Sequence, residues 1–154
     1  MPTLALLVAG PALSGTVATP AEESPRAALV STWAAYLEHY VEPSGRVVDP
    51  RGGRRSTSEG QAYAMVRALW IDDRPSFERA WAWSRDNLQS GDSGRLPAWL
   101  WGQSPEGEWR ILDTQPAADA DQLMAWALVG GSRRWGDAEM AAAVTKARAP
   151  YAKE

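Results

Sequence analysis

Several residue types are missing or almost missing from this 154-residue chain, and each absence narrows its chemistry. There is no cysteine, which excludes disulfides, thiolate nucleophiles and cysteine-bound metal ions. The single histidine, His39, cannot form a multi-histidine metal site, and any serine–histidine triad would have to use it. Because His39 lies on an amphipathic helical stretch, we interpret it as structural. We therefore expect no metal and no cofactor.

Positive charge and long apolar runs are also scarce. A net charge of −3 and a pI near 5.2 lack the basic footprint of a nucleic-acid-binding protein. The only sustained apolar run, residues 4–13, is too short to span a membrane. Small residues follow it over 14–21, as in a secretory signal peptide, although no Lys or Arg precedes Arg26. We expect an exported protein with a leader over residues 1–24 and one folded unit over 25–154.

Tryptophan is in excess, with nine residues against one phenylalanine. Such rings either fill a core or stack on flat ligand faces, and a core alone would be expected to recruit phenylalanine as well. The bias therefore points to some stacking on a ligand. We interpret the tryptophans on predicted helices as mainly core residues: Trp33, Trp70, Trp81, Trp83, Trp126 and Trp135.

Apolar spacing predicts five helices and an all-α fold. In the second helix, Ala62, Met65, Val66 and Leu69 recur at the spacing of one helical face. The predicted helices cover residues 26–40, 58–71, 75–88, 119–134 and 137–149. Short strands are expected at most at 47–48 and 109–112.

Two long connections separate these helices. The segment 41–56 is rich in glycine and proline, and its Arg46 and Asp49 are expected to fix the loop rather than contact a ligand. The connection 89–116 contains Trp99, Trp101 and Trp109. A loop of that length in a compact domain is usually functional.

One carboxylate stands at the start of the second helix. In Thr57-Ser58-Glu59-Gly60-Gln61-Ala62-Tyr63, either Thr57 or Ser58 is the expected N-cap, and Glu59 follows in the first turn. Glu59 could simply stabilise the helix dipole. However, Gly60 leaves an open approach, and a carboxylic acid among aromatic rings has a raised pKa and can donate a proton. Acids with aromatic rings are typical of a groove that cleaves sugars.

The helix near residue 119 begins with a second acidic pair. Asp119 and Asp121 flank Ala120, so one reading is an N-cap followed by a first-turn acid. The other reading is ligand binding, and an N-cap role does not exclude it. Two acids at two helix starts, at the same end as the aromatic loop, could flank one bond.

Four segments in this order resemble glycoside hydrolase family 8. They are Gly45-Arg46-Val47-Val48-Asp49-Pro50, Thr57 to Tyr63, Leu96-Pro97-Ala98-Trp99-Leu100-Trp101-Gly102, and Asp119-Ala120-Asp121 with Met124-Ala125 and Trp135. The resemblance runs from about Trp33 to Trp135. Within the family it is strongest to the periplasmic endo-1,4-β-glucanases that accompany bacterial cellulose synthase. It implies part of an (α/α)6 barrel, about five of twelve helices.

The resemblance also implies roles for individual residues. Glu59 matches the general acid, and Asp119 matches the acid that holds the sugar at the cleavage subsite. Trp99 matches a stacking residue with Trp101 as its neighbour, and Gln61, Tyr63 and Asp121 complete the expected substrate-binding set. The implied function is inverting hydrolysis of β-1,4-glucan, with the cellulose synthase complex as a possible partner. The alternatives are an inactive glucan-binding remnant and a gene fragment that does not fold.

The chain departs from the family pattern at three places. Ala118 replaces a usual Ser or Thr, and Val129-Gly130-Gly131 interrupts the fourth helix with two weak helix formers. The family's catalytic base, a downstream Asp, has no counterpart. An inverting glycosidase needs that second carboxylate to activate water, and nothing in the pattern gives this role to Asp113 or Asp121. We therefore expect an N-terminal fragment of the domain that is inactive by itself.

Overall fold

Five helices and a small sheet form the part of the chain that is described, residues 24–148 of a computed structural model. The helices are α1 (Pro25–Tyr40), α2 (Ser58–Ile71), α3 (Arg74–Asn87), α4 (Ala118–Trp135) and α5 (Ala138–Arg148). The predicted helical architecture is confirmed, and α1 to α4 begin and end within one residue of expectation. The predicted leader lies outside the described residues, apart from Ser24. Within 24–148, no helix combines the length and apolarity needed to cross a membrane.

The sheet links the two long connections. Its strands are β1 (Ser56–Thr57), β2 (Leu100–Gln103) and β3 (Trp109–Asp113), in that order and antiparallel. The sequence predicted the third strand but treated β2 as loop. Since Ser56 pairs with Trp101, the sheet joins the segment before α2 to the aromatic connection.

Helix α2 lies at the centre of the core and packs against α1, α3 and α4. Its predicted stripe is buried from Ala62 to Leu69. Trp70 and Trp126, expected in the core, are instead 54% and 51% exposed, so that interpretation was wrong for both. Trp70 lies two turns after the exposed Tyr63, on the solvent-facing side of α2.

Two indole rings hold the turn between α2 and α3. The Nε1 of Trp33 donates to Asp73 Oδ2 at 2.8 Å, and the Nε1 of Trp135 donates to Asp72 Oδ1 at 2.9 Å. Asp73 also caps α3 by accepting from the Ser76 amide. Phenylalanine has no ring N–H, so at these positions it could not form the hydrogen bonds to Asp72 and Asp73.

The two glycines in α4 permit close packing. A Cβ on Gly130 would lie 2.6 Å from Leu69 Cδ2, and one on Gly131 would lie 2.9 Å from Met140 Sδ. A side chain at either position would therefore require the end of Leu69 or of Met140 to move. The departure from the family pattern at 130–131 matches the packing of this chain.

The amide of Gln61 is the most heavily used polar group in the core. Gln61 is fully buried, and its Oε1 accepts from the Val47 amide at 2.5 Å. Its Nε2 lies within hydrogen-bond distance of three acceptors: Gly45 O (3.2 Å), Ala80 O (3.1 Å) and Ser84 Oγ (3.3 Å). One side chain thus joins α2 to the 45–47 segment and to α3.

Replacing Gln61 with leucine should destabilise the fold strongly. The buried Val47 amide and the acceptors around Nε2 would lose a partner, and each unmade buried hydrogen bond costs about 1–3 kcal/mol. We expect the free energy of unfolding to fall by about 2–4 kcal/mol in urea denaturation. Gln122→Leu, on an exposed position of α4, is the matched control. Equal stability of the two variants would show that the Gln61 network contributes little.

Candidate active site

The backbone of Trp99 lies between the starts of α2 and α4. The Ser58 amide donates to the Trp99 carbonyl at 3.0 Å, and the Trp99 amide donates to the Gln115 carbonyl at 2.8 Å. Thr57 is the N-cap of α2, and its hydroxyl accepts from the Gly60 amide. Since Ser58 opens α2 and Gln115 lies three residues before α4, these two hydrogen bonds connect both helix starts to Trp99, the residue just before β2.

Glu59 lies in the first turn of α2 and is half-buried. Its Oε2 atom is buried and, among the described residues, has no hydrogen-bond partner. Buried polar atoms are normally paired, and an exception calls for an explanation. Oε2 of Glu59 is therefore free to form a hydrogen bond with a group outside the described residues.

Asp119 and Asp121 have different surroundings although both lie in the first turn of α4. Asp119 is exposed, and its Oδ1 accepts from the Ala120 amide at 2.9 Å. The N-cap of α4 is Ala117, which makes no side-chain capping bond, so the N-cap interpretation of Asp119 was wrong. Asp121 is turned into a cavity of about 220 Å³ that lies among α4, α5 and the 89–97 segment.

The cavity changes the acidity of Asp121. Burial, with a smaller contribution from the Asp119 charge, raises the pKa of Asp121 from 3.8 to about 6. Its Oδ1 is buried and has no partner among the described residues. Most of the cavity lining is apolar, as at Leu96, Met124 and Val144. Asp121 thus faces the helix packing, which argues against direct contact between its carboxylate and a sugar.

Asp113 is committed to Trp99. Hydrogen bonds from the Trp99 indole N–H and from the Gln115 amide, the latter at 2.9 Å, hold the pKa of Asp113 below its ordinary value. A carboxylate stabilised in this way is a weak base. Its evident task is to fix the orientation of the Trp99 ring, which is half-buried.

Gln61 and Tyr63, both predicted to bind substrate, are placed very differently. Gln61 is fully buried and its amide is occupied by the core contacts described above, so it is not available to a sugar, in contrast to the prediction. Tyr63 is 55% exposed and lies one turn after Glu59 on the same face of α2. Its hydroxyl and ring remain available to a ligand.

Trp101 is enclosed by other side chains rather than open to a ligand. Trp109 stacks on it with a centroid distance of 5.0 Å, and Trp83 meets it edge-on at 5.4 Å. The Arg46 guanidinium lies 4.4 Å from its centroid. The prediction that Trp101 stacks on substrate is therefore not supported by its position. Sequence spacing gave no signal for this cluster, because its members come from four separate segments.

Arg46 and Asp49 fix the 41–56 loop, as predicted. Arg46 is 6% exposed, and its Nε donates to Ser56 Oγ at 2.8 Å, while its Nη2 donates to the Arg54 carbonyl. Asp49 accepts from the Arg51 and Gly52 amides and lies 3.5 Å from the Arg55 guanidinium. The loop before β1 is thereby held by its own side chains.

Replacing Asp121 with asparagine should alter the pH dependence of stability. A carboxyl group with a raised folded-state pKa stabilises the fold below about pH 4, and this contribution is lost as the pH rises through about 6. Asn stays uncharged, so the Tm of D121N relative to the unmodified chain should rise between about pH 4 and pH 7. Thermal unfolding across this range measures the difference.

A second variant isolates the charge of Asp119. Asp119→Asn removes the neighbouring repulsion and should shift the Asp121-linked transition to lower pH without abolishing it.

For the D121N experiment, parallel Tm curves of the variant and the unmodified chain would show that Asp121 is solvated like an ordinary carboxylate.

The similarity to known proteins covers much more of the chain than the four motifs. The family model described as "Glycosyl hydrolases family 8" matches residues 7–152. The endoglucanase of Escherichia coli is 42% identical over 105 residues, which cover 67% of this chain and 28% of that protein. The endoglucanase of Xanthomonas axonopodis pv. citri is 39% identical over 132 residues, covering 79% of this chain and 34% of its own length.

A solved structure shows the same fold. The endo-1,4-D-glucanase from Vibrio fischeri ES114 superposes with a TM-score of 0.72 at 37% identity, over 75% of this chain and 34% of that chain. The chain thus spans about a third or less of the length of the relatives it matches, and its five helices correspond to part of their barrel. With a family model matched over nearly its whole length and relatives about 40% identical, the chain belongs to glycoside hydrolase family 8.

Proposed function

We propose that this chain is the N-terminal part of an endo-1,4-β-glucanase domain in which Glu59 is the general acid. The observation that carries the proposal is the unpartnered Oε2 of Glu59 at a helix start that Trp99 ties to the approach to α4. The names of the relatives from Escherichia coli and Vibrio fischeri support the same activity. In this role Glu59 protonates the glycosidic oxygen as the bond to the anomeric carbon breaks.

The remaining residues of the proposed site bind and orient the sugar. Asp119 is exposed at the start of α4 and can accept hydrogen bonds from sugar hydroxyls next to the scissile bond. The Trp99 ring, held by Asp113, offers a fixed face for stacking. Tyr63 extends the polar and aromatic surface along α2.

Neither Asp113 nor Asp121, the two acids that the motifs left without a role in catalysis, is placed to act as the base. Asp113 is committed to Trp99 and Asp121 faces the cavity among α4, α5 and the 89–97 segment. Inverting hydrolysis requires a second carboxylate to activate water. We propose that the base is supplied by a part of the family 8 domain that residues 24–148 do not include.

Three finer points complete the proposal. The substrate is a β-1,4-glucan such as cellulose, and the name of the Vibrio fischeri protein, an endo-1,4-D-glucanase, supports a 1,4-linked glucan. Residues 1–24 act as a leader, and residues 25–154 are the N-terminal part of the catalytic domain. The protein then works in the periplasm or outside the cell, in bacterial cellulose metabolism and in the neighbourhood of the cellulose synthase complex.

A second candidate function is glucan binding without turnover. The hydrogen bond between the Trp99 ring and Asp113 favours this function, because stacking of a sugar on Trp99 needs no catalytic base. The two functions share a ligand and differ only in hydrolysis.

Replacing Glu59 with glutamine tests the acid role. The chain is joined to the downstream part of the Escherichia coli endoglucanase, and reducing-sugar release from carboxymethylcellulose is measured. Gln keeps the size but cannot donate the proton, so the rate should fall by about 10²–10⁴-fold with little change in Tm. Glu38→Gln, an exposed acid on α1, should leave the rate unchanged. Retained activity in E59Q would remove Glu59 from this role.

The chain without a fusion partner separates the enzyme from the binding protein. We expect negligible reducing-sugar release together with saturable binding of cellopentaose, followed by tryptophan fluorescence. Trp99→Ala should weaken that binding about tenfold, since it removes the stacking face. Trp70→Ala, an exposed tryptophan at the far end of α2, is the control. Robust release with inversion would show that a local acid serves as base after all.

A further inference from the structure

The β2–β3 hairpin carries a stack of tryptophan rings that the proposed site does not use. Trp109 lies over Trp101 with a centroid distance of 5.0 Å and an interplanar angle of 19°. Trp83, buried on α3, meets Trp101 at 5.4 Å and 82°. The stack is therefore anchored to the helical core through Trp83, and Trp109 is its outermost ring.

The outer face of Trp109 is open. Trp109 is 42% exposed, although one of its faces is covered by Trp101. The Arg46 Cζ lies 4.4 Å from the Trp101 centroid and 4.6 Å from that of Trp109. An atom above the outer face of Trp109 would be much farther from Trp101 than from Trp109. Arg46 Cζ, which is nearly equidistant from the two centroids, therefore does not lie over the outer face of Trp109.

The residues around the Trp109 ring are themselves held by polar contacts within the chain. Arg46 is fixed by Ser56 Oγ and the Arg54 carbonyl, and an ion pair joins it to Glu42 at 3.7 Å. Cross-strand pairing places Gln103 opposite Trp109, and Gln103 Nε2 donates to the Gly107 carbonyl at 2.8 Å. Pre-ordering of a binding surface lowers the entropy lost when a ligand binds. In contrast, the exposed rings of Trp70 and Trp126 have no stacked aromatic partner among the described residues.

The chemistry of this surface fits a sugar ring. A β-linked glucose unit has equatorial hydroxyls, so each face of the ring presents C–H groups that pack on a flat aromatic surface. Gln103, the cross-strand partner of Trp109, is exposed and lies on the same face of the hairpin. Its side chain can exchange hydrogen bonds with the hydroxyls at the rim of the sugar.

We propose that Trp109 is a glucan-stacking position separate from the set formed by Glu59, Trp99 and Asp119. Its ring partners are Trp101 and Arg46, and it lies on the third strand, two strand spacings from the segment that opens α2. A β-1,4-glucan bound there is held on the hairpin rather than at the helix starts. The identification of a glucan as the ligand rests on the proposed function. The platform, meaning the Trp109 ring with Trp101 and Arg46 against it, rests on the observed stack.

Affinity electrophoresis in native gels that contain hydroxyethylcellulose tests this position. The chain carries Glu59→Gln throughout, so that the polymer stays intact. We expect Trp109→Ala to weaken retardation about five- to tenfold, and Trp109→Phe, which keeps a flat ring, to retain most of it. Trp70→Ala should migrate like the parent. Thermal unfolding of each variant reports whether the packing around Trp101 is retained.

The outcomes separate this proposal from the proposed function. Loss of retardation in the alanine variant alone, with unchanged Tm, supports the platform whether or not the chain hydrolyses glucan. Equal retardation of Trp109→Ala and the parent overturns the platform and leaves the acid role of Glu59 to the hydrolysis assay. An equal loss in Trp70→Ala, or a parent that is not retarded at all, also overturns it.

Discussion

The buried amide of Gln61 is the constraint on which the candidate site depends. It pairs with the Val47 amide and lies within reach of acceptors on the 45–47 segment and on α3. These contacts fix the rotation and height of α2, and Glu59 is only two residues away. The resemblance to the family assigned Gln61 to the substrate. Its position assigns it to the framework that aims Glu59 instead.

Tryptophan has two uses in this chain, and one of them was not foreseen. Trp33, Trp135 and Trp99 each donate an indole N–H to a carboxylate, namely Asp73, Asp72 and Asp113. The first two hold the turn between α2 and α3, and the third orients a proposed stacking ring. Phenylalanine could supply the apolar surface but not the N–H. The excess of tryptophan over phenylalanine therefore reflects hydrogen bonding within the protein as well as the proposed stacking on a ligand.

The helices could be predicted from sequence because their signals are local. The spacing of Ala62, Met65, Val66 and Leu69 gives the buried face of α2, and Thr57 supplies its cap. The exposure of Trp70 and Trp126 could not be predicted, since an aromatic residue on a helix carries no information about which neighbours cover it. Apolar patterning indicates which face is preferred for burial, whereas the packing partners decide which rings are buried.

The candidate site was predictable only in part. The acids at the two helix starts could be located from motifs, and the position of Trp99 between them agrees with that expectation. The Arg46–Trp101–Trp109 stack could not be located, because it combines a loop residue with two strands that form only when the chain folds. Asp121 was expected to bind substrate beside Asp119, but it lines a cavity among α4, α5 and the 89–97 segment.

The two hydrogen bonds of the Trp99 backbone have a mechanical consequence. Its carbonyl holds the first residue of α2 and its amide holds the residue three positions before α4. The same residue carries the ring proposed to stack on sugar. A ligand that presses on this ring therefore pushes on both helix starts at once, through bonds rather than through loose loops. Under the proposed function, occupation of the Trp99 sugar position and alignment of Glu59 and Asp119 are therefore mechanically coupled.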